Sequence, residues 1–167
     1  MAVDKKATLT YVQLMKEDLA VFRLVPEDGI IPDYEAGQFI TVGMPISSEG
    51  NKIVRRAYSM ASHPENKKFI ELVIRWVRRP LPGRVTTALF NSGEGDEVSW
   101  IPPTGVALKI NEKMGDGTKD DRRIVCVSGG TGIAPFMSFA RHLRAIGDKR
   151  EIVCLHGSSY VDELSYK

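Results

Sequence analysis

Short runs rich in apolar and β-branched residues, separated by polar turns, fill roughly the first hundred positions of the chain. Such runs, with no long helix between them, predict an antiparallel barrel or sandwich. One short helix interrupts them, because Val85 and Leu89 recur at helical spacing after Gly83. The predicted strands are residues 8–15, 19–25, 38–42, 54–61, 69–77, 97–101 and 106–110.

The pattern changes after a polar connection at residues 111–123. A buried-type strand at 124–128 is followed by a helix with apolar residues at helical spacing, and then by a second buried-type strand at 152–155. This order predicts one strand–helix–strand unit of a parallel α/β sheet. We expect a barrel domain over 1–112, a linker over 113–122 and the start of an α/β domain over 123–167. The apolar helix positions are Phe136, Phe139, Ala140, Leu143 and Ile146.

Two parallel strands and one helix are fewer elements than an open parallel sheet usually contains. The pattern therefore predicts that the chain is a piece of a longer protein, with residues 161–167 beginning another helix. The alternative is that a second chain completes the sheet.

Composition narrows the range of functions. The chain is 43% hydrophobic and 26% charged, which is typical of a globular protein, and its net charge of +2 gives no reason to expect nucleic acid or an anionic membrane as partner. It has neither an apolar run of membrane-spanning length nor a secretory signal, so a cytoplasmic location is expected. Cys126 and Cys154 lie in apolar runs and are predicted to be buried, reduced thiols. No metal-ligand spacing is present.

A glycine-rich segment, S-G-G-T-G-I-A-P at residues 128–135, follows a predicted strand and opens a predicted helix. Backbone N–H groups at such a turn can bind a phosphate. The alternative is a tight strand-to-helix turn without a ligand.

A second candidate segment, R-A-Y-S at residues 56–59, lies on a predicted strand. Side chains alternate along a strand, so Arg56 and Tyr58 share one face and Ser59 takes the other. A guanidinium suits a pyrophosphate, a phenol ring can stack on a flat heterocycle, and a hydroxyl can bond to a ring nitrogen. An ordinary amphipathic strand is the alternative interpretation.

Together, R-A-Y-S-M-A-S at 56–62 and G-G-T-G-I-A-P at 129–135 resemble the ferredoxin-NADP reductase family of flavoproteins, in its bacterial branch. Further segments are similar to motifs of that family: A-G-Q-F at 36–39, G-R-V-T at 83–86, G-D at 95–96 and P-T-G at 103–105. The resemblance implies a six-stranded, Greek-key antiparallel β-barrel that binds FAD. A partial Rossmann-like α/β domain for NADP or NAD would follow it.

The resemblance also implies roles for individual residues. Tyr58 would stack on the isoalloxazine and Ser59 would approach its N5 atom, which makes these two the expected catalytic residues. Arg56 would bind the FAD pyrophosphate. The other expected cofactor-binding residues are Arg75, Gly83, Val85 and Thr86 for the flavin, and Gly130, Thr131 and Gly132 for the nicotinamide nucleotide. For Arg75, a solvated strand face is an equally good interpretation.

The implied activity is hydride transfer from NADPH or NADH to the flavin, followed by one-electron steps to a ferredoxin, a flavodoxin or an oxygenase component. Ser159 stands where many relatives have an Arg that contacts the NADP 2′-phosphate, which leaves the choice between NADP and NAD open. Two alternatives also remain open. The chain could belong to an electron-transfer subunit of a larger iron-sulfur flavoprotein complex, or it could be a flavin-binding module without turnover.

Overall fold

The computed structural model describes residues 4–105 and 108–166. Its first part is built from strands β1 (Lys5–Lys16), β2 (Leu19–Pro26), β3 (Phe39–Ile46), β4 (Lys52–Ser59), β5 (Ile70–Arg75) and β6 (Glu97–Thr104). These strands form one six-stranded antiparallel sheet in the order β4-β3-β6-β1-β2-β5. Helix α1 (Arg84–Phe90) lies between β5 and β6, and a 3₁₀ turn (Ser47–Glu49) joins β3 to β4.

The two edges of this sheet meet just after β4. Met60 forms an antiparallel bridge with Leu72 of β5, and the Ala61 N–H donates a hydrogen bond to the Glu71 carbonyl at 2.8 Å. The interior is filled by apolar side chains, among them the fully buried Trp100. The predicted antiparallel barrel is confirmed.

The second part contains strand β7 (Ile124–Gly129), helix α2 (Ala134–Ala145) and strand β8 (Ile152–Gly157). The two strands pair in parallel, in register from Ile124 with Ile152 to Gly129 with Gly157. A 3₁₀ turn (Gly130–Ile133) joins β7 to α2. The predicted strand–helix–strand unit is also confirmed.

Helix α2 packs on the outside of the barrel. Its first residue, Ala134, joins a buried cluster with Leu19 and Val73 from β2 and β5. Further along, the Phe139 ring lies so close to Gly37 that a Cβ there would be 2.7 Å from the ring. Gly37 also has a φ of 90°, so glycine satisfies both the backbone conformation and the close approach.

Strands β7 and β8 are more exposed than the sequence predicts. Cys126 is buried, but Val125, Val127 and Leu155 are more than half exposed, and Cys154 is exposed as well. The two strands have no neighbouring strand on either side, and Cys154 on β8 is left uncovered although it lies on the same face of the sheet as Cys126 on β7. The prediction of a buried thiol is therefore right for Cys126 and wrong for Cys154.

The segment after β8 differs from its prediction. Instead of the helix expected over 161–167, a single 3₁₀ turn (Val161–Glu163) forms, and Tyr166 has a left-handed φ of 62°. The Glu163 carboxylate accepts a hydrogen bond from Arg75 of the barrel, and the Tyr166 hydroxyl donates one to Glu71. These contacts hold the segment against the barrel in place of a helix. Lys167 lies outside the described residues.

Two other predicted positions also differ. In the strand expected over 106–110, residues 106 and 107 lie outside the described residues and 108–110 belong to no strand. Ile146 follows the last residue of α2 and is 53% exposed, so the apolar face of that helix ends at the buried Leu143.

None of the helices in the described parts of the chain is long and apolar enough to cross a bilayer.

Candidate functional site

Arg56 and Tyr58 lie on the same face of β4, as their spacing predicts. Arg56 pairs with Val42 and Tyr58 with Ile40, and both β3 partners are fully buried in the barrel. Ser59 is the last residue of β4, one position on, and its side chain is exposed. Arg56 and Tyr58 together form the β4 face.

The Tyr58 hydroxyl is hidden from solvent. It has no hydrogen-bond partner among the described residues, although buried polar atoms normally form at least one hydrogen bond. Burial raises the pKa of Tyr58 to about 12, and the nearby Arg56 guanidinium offsets part of that rise. The phenol is therefore neutral at physiological pH.

Arg56 is exposed and uses one guanidinium nitrogen to donate to the Arg55 carbonyl at 2.8 Å. Within residues 4–105 and 108–166, no carboxylate pairs with it. Its neighbour Arg55, on the other face of β4, forms an ion pair with Asp4. The β4 face thus presents an uncompensated cation beside a neutral aromatic ring, and this combination suits an anionic ligand with a flat ring.

The start of α1 is the third part of the site. Helix α1 packs against β3 and β4, and its first intrahelical hydrogen bond runs from the Thr87 N–H to the Gly83 carbonyl at 2.8 Å. The N–H groups of the three preceding residues have no acceptor in the helix. Val85 is buried and anchors this turn, so those N–H groups are held in place.

Gly83 keeps the start of α1 open. The Thr86 hydroxyl donates to the Gly83 carbonyl at 3.0 Å, and a Cβ on Gly83 would come within 2.6 Å of that hydroxyl oxygen. A larger residue would therefore displace Thr86 and fill the space in front of the first turn. Arg84 is exposed and pairs with Glu49 at 2.6 Å, which ties the helix start to the turn between β3 and β4.

A recess of about 490 Å³ lies at the carboxyl ends of β7 and β8. In open α/β sheets, this is the edge at which nucleotides bind. Gly130 has a φ of 51°, which glycine adopts readily, and this lets the chain turn sharply from β7 into α2. The residues lining this β7–β8 recess are Arg75, Gly129, Gly130, Gly157, Ser158, Ser159 and Glu163.

Arg75 lines this recess but is already paired. Its guanidinium lies 2.9 Å from an Asp18 oxygen and 3.1 Å from a Glu163 oxygen. Glu163 is buried, and the hydrogen bond from Arg75 lowers the pKa of Glu163. The structure therefore places Arg75 beside Gly130 at the recess. Two ion pairs hold the Arg75 side chain there, so it does not extend from a solvated strand face.

Thr131 and Gly132 lie in the turn before α2 but not among the lining residues of the recess. At the ends of the two strands, Ser128 Oγ and His156 Nδ1 are hydrogen-bonded at 2.9 Å. Among the described residues, no group of three or more His, Cys, Asp or Glu side chains could hold a metal ion.

A buried carboxylate between the barrel and α2 is missing from the sequence-based predictions. Glu71 is 1% exposed and accepts hydrogen bonds from Arg23 at 2.8 Å, Arg141 at 2.7 Å and Tyr166 at 2.8 Å. Burial acts to raise the pKa of Glu71, but these donors outweigh it and lower the pKa overall. The sequence did contain a signal, because one acid inside the apolar run at 69–74 needs buried partners.

Family comparison agrees with this architecture. The oxidoreductase FAD-binding domain family matches residues 6–107, more than half of the chain. The chain belongs to this family. The oxidoreductase NAD-binding domain family matches residues 126–167, on the C-terminal side of the FAD-binding match. These matches confirm the resemblance to ferredoxin-NADP reductases that the two motifs indicated.

Individual proteins are similar to this chain over most of its length. A flavohemoprotein of Bordetella pertussis is 31% identical over 141 residues, which are 83% of this chain and 33% of the relative. The reductase component of a propane 2-monooxygenase from Mycolicibacterium goodii is 26% identical over 98% of this chain and 43% of its own length.

A solved structure shows the same fold. The flavohem-like FAD/NAD-binding domain of a nitric oxide dioxygenase from Vibrio cholerae has a TM-score of 0.81 at 23% identity, over 97% of this chain and 65% of that one. This chain spans only about a third to two fifths of the length of the two curated relatives.

Proposed function

We propose that this chain binds FAD at the β4 face and the start of α1, and that it carries electrons from a nicotinamide nucleotide to a protein acceptor. The observation that carries this proposal is the neutral, unpartnered Tyr58 beside the uncompensated Arg56, on a strand packed against the open start of α1. Bound FAD would supply the acceptance of an electron pair from the nicotinamide and its release as single electrons.

The residues of the site match the chemical groups of FAD. Arg56 and the free N–H groups after Gly83, including those of Val85 and Thr86, would hold the pyrophosphate. The space in front of Gly83, which a Cβ would narrow, supports this assignment. The Tyr58 ring would stack on the flavin.

Ser59 completes the flavin site in this proposal. Its hydroxyl is exposed at the end of β4, one residue from Tyr58, and can donate to or accept from a ring nitrogen. We assign it to the flavin N5, where the hydride arrives. Tyr58 and Ser59 are therefore the residues proposed to contact the reacting part of the cofactor.

The nicotinamide nucleotide is assigned to the β7–β8 recess, which Gly130 lines, and Thr131 and Gly132 in the adjoining turn before α2 would supply further backbone N–H groups. Among the described residues lining the recess, Arg75 is the only cation, and Glu163 neutralises it. The added 2′-phosphate of NADP would meet no available cation there. This favours NADH over NADPH as the electron donor.

The acceptor is proposed to be a ferredoxin, a flavodoxin or an oxygenase component. Similarity to the reductase component of a propane 2-monooxygenase supports the last of these. Free thiols and a nicotinamide donor are typical of a cytoplasmic protein, so we propose that compartment. We also propose that the FAD-binding domain covers residues 1–112, that 113–122 form a linker, and that the nicotinamide-nucleotide domain begins at residue 123.

Flavin binding followed by anaerobic reduction tests the proposal. The chain is mixed with excess FAD, unbound flavin is removed, and the remaining flavin absorbance is measured before and after NADH or NADPH is added. We expect retained flavin that NADH bleaches faster than NADPH does. A chain that retains no flavin would overturn the proposal. Retained flavin that neither nucleotide bleaches would overturn the electron-transfer role and show that the chain is a flavin-binding module without turnover.

A further inference from the structure

Cys126 and Cys154 are direct neighbours across the β7–β8 pair. They are register partners in parallel strands, so their side chains project from the same face of the sheet. Neighbouring strands lie about 4.8 Å apart, which is within the Cα–Cα range of roughly 4.4–6.8 Å that disulfides span. The Cα separation of the pair therefore suits a disulfide, and the two sulfur atoms are close enough to interact.

The two thiols differ in access to solvent. Both cysteines are free, but Cys126 is only 5% exposed and Cys154 is exposed. Burial raises the pKa of the Cys126 thiol, and the adjacent Cys154 sulfur raises this pKa further. Cys126 is thus a protected, protonated thiol, and a dissolved oxidant meets Cys154 first.

The two cysteines also lie close to the carboxyl ends of β7 and β8, where the β7–β8 recess is found. Two residues along each strand, Ser128 and His156 are hydrogen-bonded to each other at 2.9 Å. One residue further, Gly129 and Gly157 line the β7–β8 recess. A covalent bond between Cys126 and Cys154 would tie the two strands together immediately below that recess.

We propose that Cys126 and Cys154 are a redox modification site, at which a hydroperoxide converts the two thiols into a reversible intrachain disulfide. This inference stands on the two cysteines alone and does not depend on flavin binding.

The proposed reaction has two steps. The Cys154 thiolate attacks one oxygen of hydrogen peroxide, the O–O bond breaks, and hydroxide leaves to become water while Cys154 becomes a sulfenic acid. The Cys126 sulfur then attacks the Cys154 sulfur, so that an S–S bond forms and the S–O bond breaks. The departing hydroxide takes the Cys126 proton as a second water. The two thiols lose two electrons, and the peroxide gains them.

The test is mild oxidation of the whole chain with equimolar hydrogen peroxide, read by thiol titration after denaturation, intact mass and peptide mapping. We expect both titratable thiols to disappear, the mass to fall by two hydrogens, and the peptides containing Cys126 and Cys154 to be joined until dithiothreitol separates them. A chain that instead gains oxygen at Cys154 while Cys126 stays titratable would overturn the proposal. So would a dimer of two chains linked through Cys154.

Two variants check the order of events. In Cys126→Ala, the Cys154 sulfenic acid should persist long enough for dimedone to trap it, with no loss of two hydrogens. In Cys154→Ser, Cys126 should stay reduced under the same treatment, because burial protects it. Oxidation of Cys126 in Cys154→Ser at the wild-type rate would show that Cys154 is not the entry point, which would also overturn the proposal. Circular dichroism confirms that each variant is folded.

Discussion

The Arg141 guanidinium of α2 donates a hydrogen bond to the buried Glu71 carboxylate of β5 at 2.7 Å. The same nitrogen also donates to the Ala61 carbonyl at 2.8 Å. Ala61 and Glu71 are the residues whose backbones join where the barrel closes after β4. One side chain of α2 therefore fastens both the helix to the barrel and the barrel to itself.

Replacing this side chain should destabilise the whole chain. We expect Arg141→Ala to lower the free energy of unfolding by about 1.5–3 kcal/mol, because a charged group loses its hydrogen-bond donor inside the structure. Urea unfolding followed by tryptophan fluorescence measures the change. Arg144→Ala, on the exposed last turn of the same helix, is the matched control and should change stability by less than about 0.5 kcal/mol. Equal effects of the two substitutions would contradict the role given to Arg141.

Glu71 should make stability depend on acid pH. The pKa of Glu71 is lowered in the folded chain, so its stabilising contribution is fully present above the unfolded-state pKa of about 4.3. It is lost as the pH falls through the lower, folded-state pKa. We expect Glu71→Gln to be less stable than wild type by about 3–5 kcal/mol at neutral pH, with the gap shrinking below about pH 4.

Urea unfolding of both proteins from neutral to acid pH measures this gap. The exposed Glu112→Gln is the control and should follow the wild-type profile. A gap between Glu71→Gln and wild type that stays constant with pH would show that the Glu71 charge is not involved.

Arg56 should matter for the flavin, and Arg55 should not. We expect Arg56→Ala to weaken FAD binding by about 1.5–3 kcal/mol, or roughly 10- to 150-fold in Kd, since a charge-assisted contact to the pyrophosphate is lost. Equilibrium titration with FAD, followed by flavin fluorescence, measures Kd. Arg55→Ala removes the same charge from the opposite face of β4 and leaves Kd nearly unchanged. Similar losses in the two variants would point to net charge and not to a contact.

Tyr58 should act through its ring more than through its hydroxyl. We expect Tyr58→Phe to retain FAD and Tyr58→Ala to release it or shift its absorbance spectrum, because only the second change removes the stacking surface. Flavin content after gel filtration and the visible spectrum report the outcome. Wild-type flavin content and spectrum in Tyr58→Ala would refute the stacking role.

Gly83 should tolerate no side chain. In Gly83→Ala, the Cβ would come within 2.6 Å of the Thr86 hydroxyl oxygen, so the Thr86 side chain must leave the Gly83 carbonyl, and it and the new methyl group then occupy the space in front of the first turn of α1. We expect FAD affinity to fall about tenfold, the size of one lost charge-assisted hydrogen bond. Gly93→Ala, where nothing lies within 4 Å of the added Cβ, is the control and should bind FAD like wild type.

Local pattern predicted most elements of this protein, but neither the lack of a strand at 108–110 nor the single 3₁₀ turn at Val161–Glu163. Burial of one face of a strand or helix appears in the sequence as a period of two or about four residues, so the barrel strands, α1 and α2 could all be predicted. Val85 and Leu89, predicted from spacing alone, are both buried in α1. The alternation that places Arg56 and Tyr58 on one face follows from the same rule.

Tertiary structure alone decided which side chains meet and which face remains uncovered. Arg141 and Glu71 are 70 residues apart in the chain, and Arg75 and Glu163 are 88 apart, so no local period connects them. An apolar run predicts that a strand can be buried but not that something covers it. Cys154 is exposed for that reason, although the residues around it in sequence are as apolar as those around the buried Cys126.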